Sequence, residues 1–572
     1  MKLINASIHN FRGIIDTSIT FHPYTLIVGA NNAGKSTVID CIRAFYEKDG
    51  FKYKKESDFP LKGAKDDESW IDLTFQLSDE EDESLKDAYK TKNKLKVRKY
   101  FQTNTKLQDD KNAAGSIIGY KTDGTLSNEP FYGAKNVQNG KFGDLIYIPA
   151  ISKVDEHTKL SGPSPLRDLI ARIMSGVVES SNAYQALTDS VNKFADNIRT
   201  IETEDKRSLS SFENDLNVLL KSWQTAFNLK FTTPSPGEII KSMLSCEVRD
   251  NNHEKSQSID SFGSGFQRHF IYSLIQLSAA YMPKKNSNRE KDFSPIMNLL
   301  LFEEPEAFLH PSQQDELARN LMKMGADIND WQVICTTHSS HFVSRNAASI
   351  PAIIRVNRVD GIILSYQIDK DTLDGVIEAN QSIKNIADKW PKVTKRMKAD
   401  DQQPEMESVK YFLWLNPDRA GMLFAQNVLL VEGPSETSLI SRLLDDGKLT
   451  LPPGTYVLDC LGKYNIHRFM NLVSCLGIRH AVLHDDDNNA NEHYDLNELI
   501  KNSFNTKFTN KIVEIPGDLE NFLGVQKAGS PHRKPQHLLY CYGNNKIEDS
   551  RLNEFCGLVK KCFERKISDD DC

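Results

Sequence analysis

Residues 29–37 read Gly-Ala-Asn-Asn-Ala-Gly-Lys-Ser-Thr, preceded by an apolar strand pattern at 25–28 and followed by a helical pattern at 38–46. That order commits the chain around it to a strand–loop–helix unit of an α/β sheet. Gly29 and Gly34 let backbone N–H groups turn inward around phosphate oxygens, and Lys35 adds a point charge on the outer phosphates. Ser36 then supplies a hydroxyl to a Mg²⁺ shell. Asn31, Asn32 and Thr37 complete the expected cradle, so the loop predicts binding of a nucleoside triphosphate, ATP with Mg²⁺.

A chain of 572 residues holds two or three domains with ample core. Hydrophobic residues at 39% and charged residues at 26% are ordinary for a globular protein. No apolar run approaches the roughly 20 residues of a membrane span, and the N-terminus lacks a secretory layout, so the cytoplasm is the expected address. The nine cysteines show no CxxC and no zinc spacing, which points to reduced thiols. A net charge of −7 does not advertise nucleic-acid binding. Neither does it exclude it, because affinity follows local basic patches and metal-bridged phosphates.

Period-2 alternation at 2–8, 18–21 and 70–75 predicts strands, whereas 165–228 has helical spacing and reads as an insertion. That insertion is either a dimerisation arm or a packed helical lobe. Residues 376–420 loosen into Asp-, Gln-, Pro- and Lys-rich sequence and are expected to join two halves, 1–375 and 421–572.

In the first half, the apolar run 297–302 ends in Glu303-Glu304-Pro305-Glu306. Acids at the carboxyl end of such a strand face a nucleotide, with Glu303 placed to hold the Mg²⁺ shell and Glu304 to polarise the attacking water. A second strand, 331–337, ends in His338, a candidate γ-phosphate sensor. Upstream, a Gly/Ser loop including Ser264, Gly265 and Gln267 opens a helix whose free N–H groups suit phosphate.

This ordered set resembles the ABC-type ATPases of the SMC/RecF class. The resemblance gives Arg12, in Asn10-Phe11-Arg12, the place of that class's early arginine, and Gly263-Ser264-Gly265-Phe266-Gln267 the place of its LSGGQ signature. Gly263 and Phe266 depart from that signature. The class implies a composite site closed by a second subunit, hence a homodimer or higher homo-oligomer.

In the second half, the apolar run 427–431 leads to Glu432-Gly433-Pro434-Ser435-Glu436, and the run 481–484 leads to Asp485-Asp486-Asp487. In a parallel sheet both groups sit at one carboxyl edge. Convergent carboxylates cannot all remain ionised unpaired, so a divalent cation, Mg²⁺ or Mn²⁺, is the economical partner; a solvated acidic loop is the plainer alternative. Two such ions can clamp the attacking and leaving oxygens of a phosphodiester.

A strand ending in Glu-Gly followed some fifty residues on by one ending in Asp-x-Asp resembles a Toprim domain. An ABC-type ATPase followed by Toprim is the layout of the OLD (overcoming lysogenization defect) family of nucleases, which includes the Gabija nuclease subunit and some retron effectors. The resemblance covers nearly the whole chain and implies an α/β protein: an SMC/RecF-like ATPase domain with a helical insertion, then a Rossmann-like Toprim domain. It implies that Glu432 and Glu436 form the first metal pair and Asp485 and Asp487 the second, with Asp518 or, better, Glu520 as the third acidic group. Lys534 would stabilise charge on the phosphate, and Lys463 would be a further phosphate contact. The basic runs 90–99 and 389–398 each read singly as solvated faces; the second adjoins the acidic half and is favoured as a nucleic-acid contact.

The expected activity is therefore metal-dependent cutting or nicking of DNA, controlled by ATP, in defence against phage. A companion defence protein, a helicase or a retron reverse-transcriptase complex, is implied as a partner. Two alternatives stay open: a Toprim nuclease acting on RNA such as tRNA, and a RecF-like ATP-operated DNA clamp or sensor with a structural ion.

Overall fold

The computed structural model describes residues 1–47, 50–132, 141–150, 181–201, 207–221, 225–229, 297–327, 330–343, 347–396 and 414–564 continuously, with short pieces elsewhere. Two compact units are present, one formed by residues 1–150 with 289–572 and the other by 151–288.

The first unit begins with an antiparallel sheet. Its strands are β1 (Lys2–Phe11), β2 (Ile14–Thr20), β4 (Ser69–Gln76), β5 (Lys94–Gln102), β6 (Ile117–Tyr120) and β7 (Leu126–Pro130), in the order β2-β1-β4-β5-β6-β7. A second, mostly parallel sheet has the order β14-β13-β3-β12-β11-β8. Its strands are β3 (Tyr24–Val28), β8 (Asp144–Ile148), β11 (Asn298–Glu303), β12 (Trp331–Thr336), β13 (Ile353–Val359) and β14 (Ile362–Gln367). Strands β3 and β12 are buried along their whole length, which is why they read as continuous apolar runs rather than alternating ones.

Helix α1 (Lys35–Tyr46) buries Val38, Ile39, Ile42 and Phe45 in a core shared with Ile71, Leu73 and Phe75 of β4 and Leu299 and Leu301 of β11. Each of these side chains contributes about 2 kcal/mol by leaving water. One helix face thus cements both sheets, and its N-terminus is held where β3 delivers the loop.

The acid-bearing half of the chain forms a four-stranded parallel sheet: β15 (Asn427–Val431), β16 (Thr455–Asp459), β17 (Arg479–Asp485) and β18 (Thr509–Ile515), in the order β16-β15-β17-β18. Helix α5 (Pro434–Asp445) follows β15 and α6 (Ile466–Cys475) precedes β17; α2 (Asn182–Thr200), α3 (Leu209–Leu220) and α4 (Lys370–Asn380) come earlier in the chain. This is the Rossmann-like alternation expected from the sequence, with a core of Leu429, Leu439, Leu443, Leu483, Val513 and Phe555 among others.

In the second unit, α2 (Asn182–Thr200) and α3 (Leu209–Leu220) pack on each other, and β9 (Glu247–Arg249) pairs antiparallel with β10 (Ser256–Ser258). Ser208 and Ser211 cap α3 reciprocally. Residues 165–180 of the predicted insertion lie outside the described residues. Across the start of the predicted join at 376–420, residues 370–396 form short helices at Lys370–Asn380, Ile383–Lys389 and Pro391–Arg396. Among the described residues no helix is long and apolar enough to cross a membrane.

Candidate functional site: a phosphate loop and an acidic sheet edge

The nucleotide site is assembled at the carboxyl ends of three neighbouring parallel strands. β3 delivers the loop, β12 delivers His338 and β11 delivers the acids, with Thr336 in register with both Ile27 and Glu303. The loop needs its glycines. Gly29 and Gly34 have φ of +148° and +104°, and a Cβ on either would stand 2.3 Å from Val356 O or Ile363 Cδ1. Asn32 takes the left-handed conformation at φ +61°, and Asn31 beside it is exposed.

The Lys35 ammonium donates to the carbonyls of Gly29 at 3.1 Å and Ala30 at 3.0 Å, curling into its own loop. Burial pulls its pKa down to about 8, against the opposing pull of Glu304, Glu306 and Glu303. The predicted Mg²⁺ pair is brought together, since the Ser36 side chain lies near enough to the Glu303 carboxyl to favour its ionised form. Glu303 Oε1 is buried with no hydrogen-bond partner, and burial raises that carboxyl's pKa above the usual range. A carboxylate oxygen so placed fits a Mg²⁺ ion, which would also accept the Ser36 oxygen.

His338 stands between the two catalytic candidates, its Nδ1 3.4 Å from Lys35 Nζ and its Nε2 3.4 Å from Glu304 Oε1. Burial and the Lys35 charge lower its pKa, so the ring is neutral and can sense a phosphate oxygen through one N–H. Glu304 holds φ +43°, a strained position of the kind that functional sites keep. Glu306 was legible only as part of the acidic run; it accepts the His338 backbone N–H at 2.6 Å and fixes that turn.

The Arg12 guanidinium donates to Asp58 Oδ1 at 2.8 Å and to Asp40 Oδ2 at 2.7 Å, tying α1 to the helical turn Lys55–Asp58. Thr37 is buried in the first turn of α1. In the second unit, Gln267 donates to the Phe262 carbonyl at 2.8 Å and Gly265 opens a helical turn, while Ser264 lies outside the described residues.

The acidic edge is built on β15, β17 and β18. Glu432 follows β15, and its Oε1 accepts the Asp485 backbone N–H at 3.1 Å across the strand pair. Glu436 lies in the first turn of α5 and accepts the Gly433 N–H at 3.0 Å, a helix N-terminus that suits a carboxylate. Asp485 ends β17; its Oδ2 accepts the Leu519 N–H at 3.3 Å, and its Oδ1 is buried with no partner. Burial, with neighbouring carboxylates second, pushes Glu436 up to about 8 and raises Glu432 and Asp485 in the same direction. Three desolvated carboxyls with one orphaned oxygen are chemically suited to a divalent cation, which would relieve both the repulsion and the lost hydration. Among the described residues no three acidic, His or Cys side chains are already closed into a ready-made metal cage.

Asp487 stands close enough to that trio for its charge to help raise Glu432 and Asp485, and it is itself paired with two basic groups. Its Oδ2 lies 2.7 Å from Lys463 Nζ and 2.8 Å from His493 Nδ1. Burial opposes its ionisation, and these two partners overcome that and carry its pKa down to about 2. Lys463 also donates to the Asp485 carbonyl at 2.5 Å and is buried, so it serves as an internal counter-ion rather than an open phosphate contact. Asp518 caps the turn that follows β18, accepting from Asn521 N–H at 3.0 Å, and pairs with Lys527 at 2.7 Å. Glu520 is buried, with Lys534 Nζ 3.2 Å from its carboxylate oxygens, so the two come to the edge as a pair.

The first basic run is partly spent inside the fold. Lys96 and Arg98 reach Asp72 across the sheet at 3.2 and 2.6 Å, and Lys99 is buried beside Glu47 at 2.8 Å. In the second run Lys389 lies 2.8 Å from Asp495 and Lys392 3.7 Å from Glu492, both lysine side chains staying exposed. Residues 397 and 398 lie outside the described residues.

Residues 1–343 match the AAA ATPase domain family, and residues 423–487 match the TOPRIM domain of overcoming lysogenization defect protein-like sequences. The chain is 26% identical over 512 residues to the Old nuclease of Escherichia phage P2, covering 87% of this chain and 80% of that protein. It is 24% identical over 512 residues to endonuclease GajA of Bacillus cereus, covering 85% and 75%. It is 22% identical over 499 residues to the OLD nuclease of Thermus scotoductus, covering 84% and 81%.

Proposed function

The chain belongs to the OLD family of nucleases, an ATPase domain followed by a TOPRIM domain, and we propose that it cuts or nicks DNA at the acidic edge under the control of ATP. The observation that carries this reading is the trio of half-buried Glu432 and buried Glu436 and Asp485, gathered at the carboxyl ends of β15 and β17 with the Glu520–Lys534 pair beside them. A purely structural acidic loop would be solvated; this one is held in a state that a cation and a phosphate would relieve.

Glu432, Glu436 and Asp485 would hold Mg²⁺ or Mn²⁺, which when bound activates water and polarises the phosphodiester. Asp485 is oriented by the Leu519 N–H, and Glu432 by the Asp485 N–H, so the edge is preorganised by backbone donors. Lys534, half-exposed, is positioned to leave Glu520 for a substrate phosphate as negative charge builds there. Lys463 holds Asp487 ionised and keeps the loop after β17 in place.

In the ATPase half, Lys35 and the loop amides would bind the phosphates, Ser36 and Glu303 the Mg²⁺, and Glu304 would orient the water. Closure of the site by the signature loop of a second copy makes the working form a homodimer or larger assembly. A role in defence against phage or other foreign DNA, with or without a companion protein, follows from the family.

The test is purified protein with supercoiled DNA, linear DNA and tRNA, with Mg²⁺ or Mn²⁺, without nucleotide, with ATP and with a non-hydrolysable analogue. The expected result is cleavage of DNA, with the analogue changing its rate about 5-fold or more, an ordinary coupling range. Cleavage of tRNA alone would move the activity to RNA, and identical time courses in all nucleotide states would remove ATP control.

A further inference from the structure

Arg355 lies on β13 and is only 1% exposed, although arginine is among the residues least often buried. Its guanidinium donates to four backbone carbonyls of the Toprim half: Leu423 at 3.3 Å, Ala425 at 2.9 Å, Leu476 at 3.2 Å and Gly477 at 3.0 Å. The first two precede β15, which Glu432 follows, and the last two precede β17, which ends in Asp485. One buried fork therefore pins the entries of both acid-bearing strands. Arginine suits this place because its planar donors reach several acceptors at once, which a lysine cannot do.

The same strand pair touches the phosphate loop. Arg355 is in register with Val28, the last residue before that loop. Gly29 packs on the Val356 carbonyl, Gly34 packs on Ile363 of β14, and Arg358 Nη1 lies 3.4 Å from Asn32 Oδ1. On its other side, Tyr366 of β14 is in register with Arg355 and presses on Gly477, where a Cβ would stand 2.5 Å from the ring. Tyr366 also meets Phe508, just before β18, edge to face at 5.7 Å between ring centroids. The hairpin β13–β14 is thus in contact with three residues of the nucleotide loop and with the entries of three Toprim strands.

We propose that the β13–β14 hairpin is the joint that carries the state of the nucleotide loop to the nuclease sheet, with Arg355 as its positioning residue. This deepens the ATP-control part of the proposed function and rests on it. A shift of the loop on binding phosphate acts through Gly29 and Gly34 on Val356 and Ile363 and displaces the hairpin backbone. Because the four Arg355 hydrogen bonds are buried, the Toprim strand entries move with it rather than slipping past.

The test is hydrogen–deuterium exchange on the full chain with and without a non-hydrolysable ATP analogue and Mg²⁺, alongside cleavage of DNA. In the unmodified protein the analogue is expected to slow exchange about 5-fold or more both at 29–37 and at 423–431 and 476–485. Arg355→Met and Gly477→Ala attack the joint from opposite sides and should keep the first protection and lose the second. Arg355→Lys retains the charge and should behave like Arg355→Met; should Arg355→Met fail to fold, the other two variants decide. Protection confined to the loop in the unmodified protein, or undiminished transfer in the folded variants, overturns the proposal. Transfer of protection with nucleotide-independent cleavage would instead leave the joint standing and remove the ATP control. Nucleotide-dependent cleavage of equal size in parent and variants would remove the joint and keep the control.

Discussion

Replacing Glu436 by Gln tests how the acidic edge is held. Glu436 is fully desolvated beside Asp485, and its pKa stands at about 8 against an ordinary 4.5. Ionising it in the folded protein therefore costs about 5 kcal/mol relative to the unfolded chain. The sign follows from proton binding. Between pH 4.5 and 8 the folded state holds a proton that the unfolded state has released, so metal-free stability falls as pH rises through that window. Glutamine keeps an oxygen for the Gly433 N–H and cannot ionise. At pH 5 the variant and the parent should be nearly equal; at pH 8.5 the variant should be more stable by about 2 kcal/mol or more, since Glu432 and Asp485 share the same proton load. Urea unfolding in EDTA at both pH values, followed by hydrogen exchange of β15 and β17, measures this. Parallel pH slopes for parent and variant would refute the reasoning. Saturating Mn²⁺ should reverse the order at pH 8.5, because only the parent offers the full carboxylate set.

Lys35→Ala should abolish ATP binding while leaving the fold intact, measured by fluorescent-nucleotide titration; parental affinity would show that the loop is not the site. Glu304→Gln should bind ATP, slow its turnover by about 10²-fold or more and accumulate a closed dimer, seen by phosphate release and light scattering. Normal turnover would take Glu304 out of its catalytic place.

The nucleotide half was legible because its strands are buried on both faces and end abruptly in polar residues: β3 into Gly29, β11 into Glu303, β12 into His338. The Glu432 and Asp485 edges were readable for the same reason. Partnership was not readable. Nothing in a run of lysines shows that Asp72 stands across the sheet from Arg98, or that Asp495 waits for Lys389. Asp487 looked equivalent to Asp485 by alternation, yet the chain leaves its strand there and turns through four left-handed positions, Asp487, Asn488, Asn489 and Asn491. That turn carries the Asp487 carboxylate to Lys463 and His493. β16, half-exposed along most of its length, gave too weak a pattern to place. Arg355 did leave a signal, a charged residue inside the apolar run 353–356, where burial of arginine demands several acceptors.

Cleavage of supercoiled DNA with Mn²⁺ by Glu432→Ala and Asp485→Ala, beside the parent and with ATP hydrolysis followed in the same preparations, is the most direct test of the central claim. The account predicts that both substitutions eliminate nicking and cutting while ATP turnover continues, and that EDTA silences the parent. Undiminished cleavage by either variant would contradict the assignment of the acidic edge as the nuclease centre.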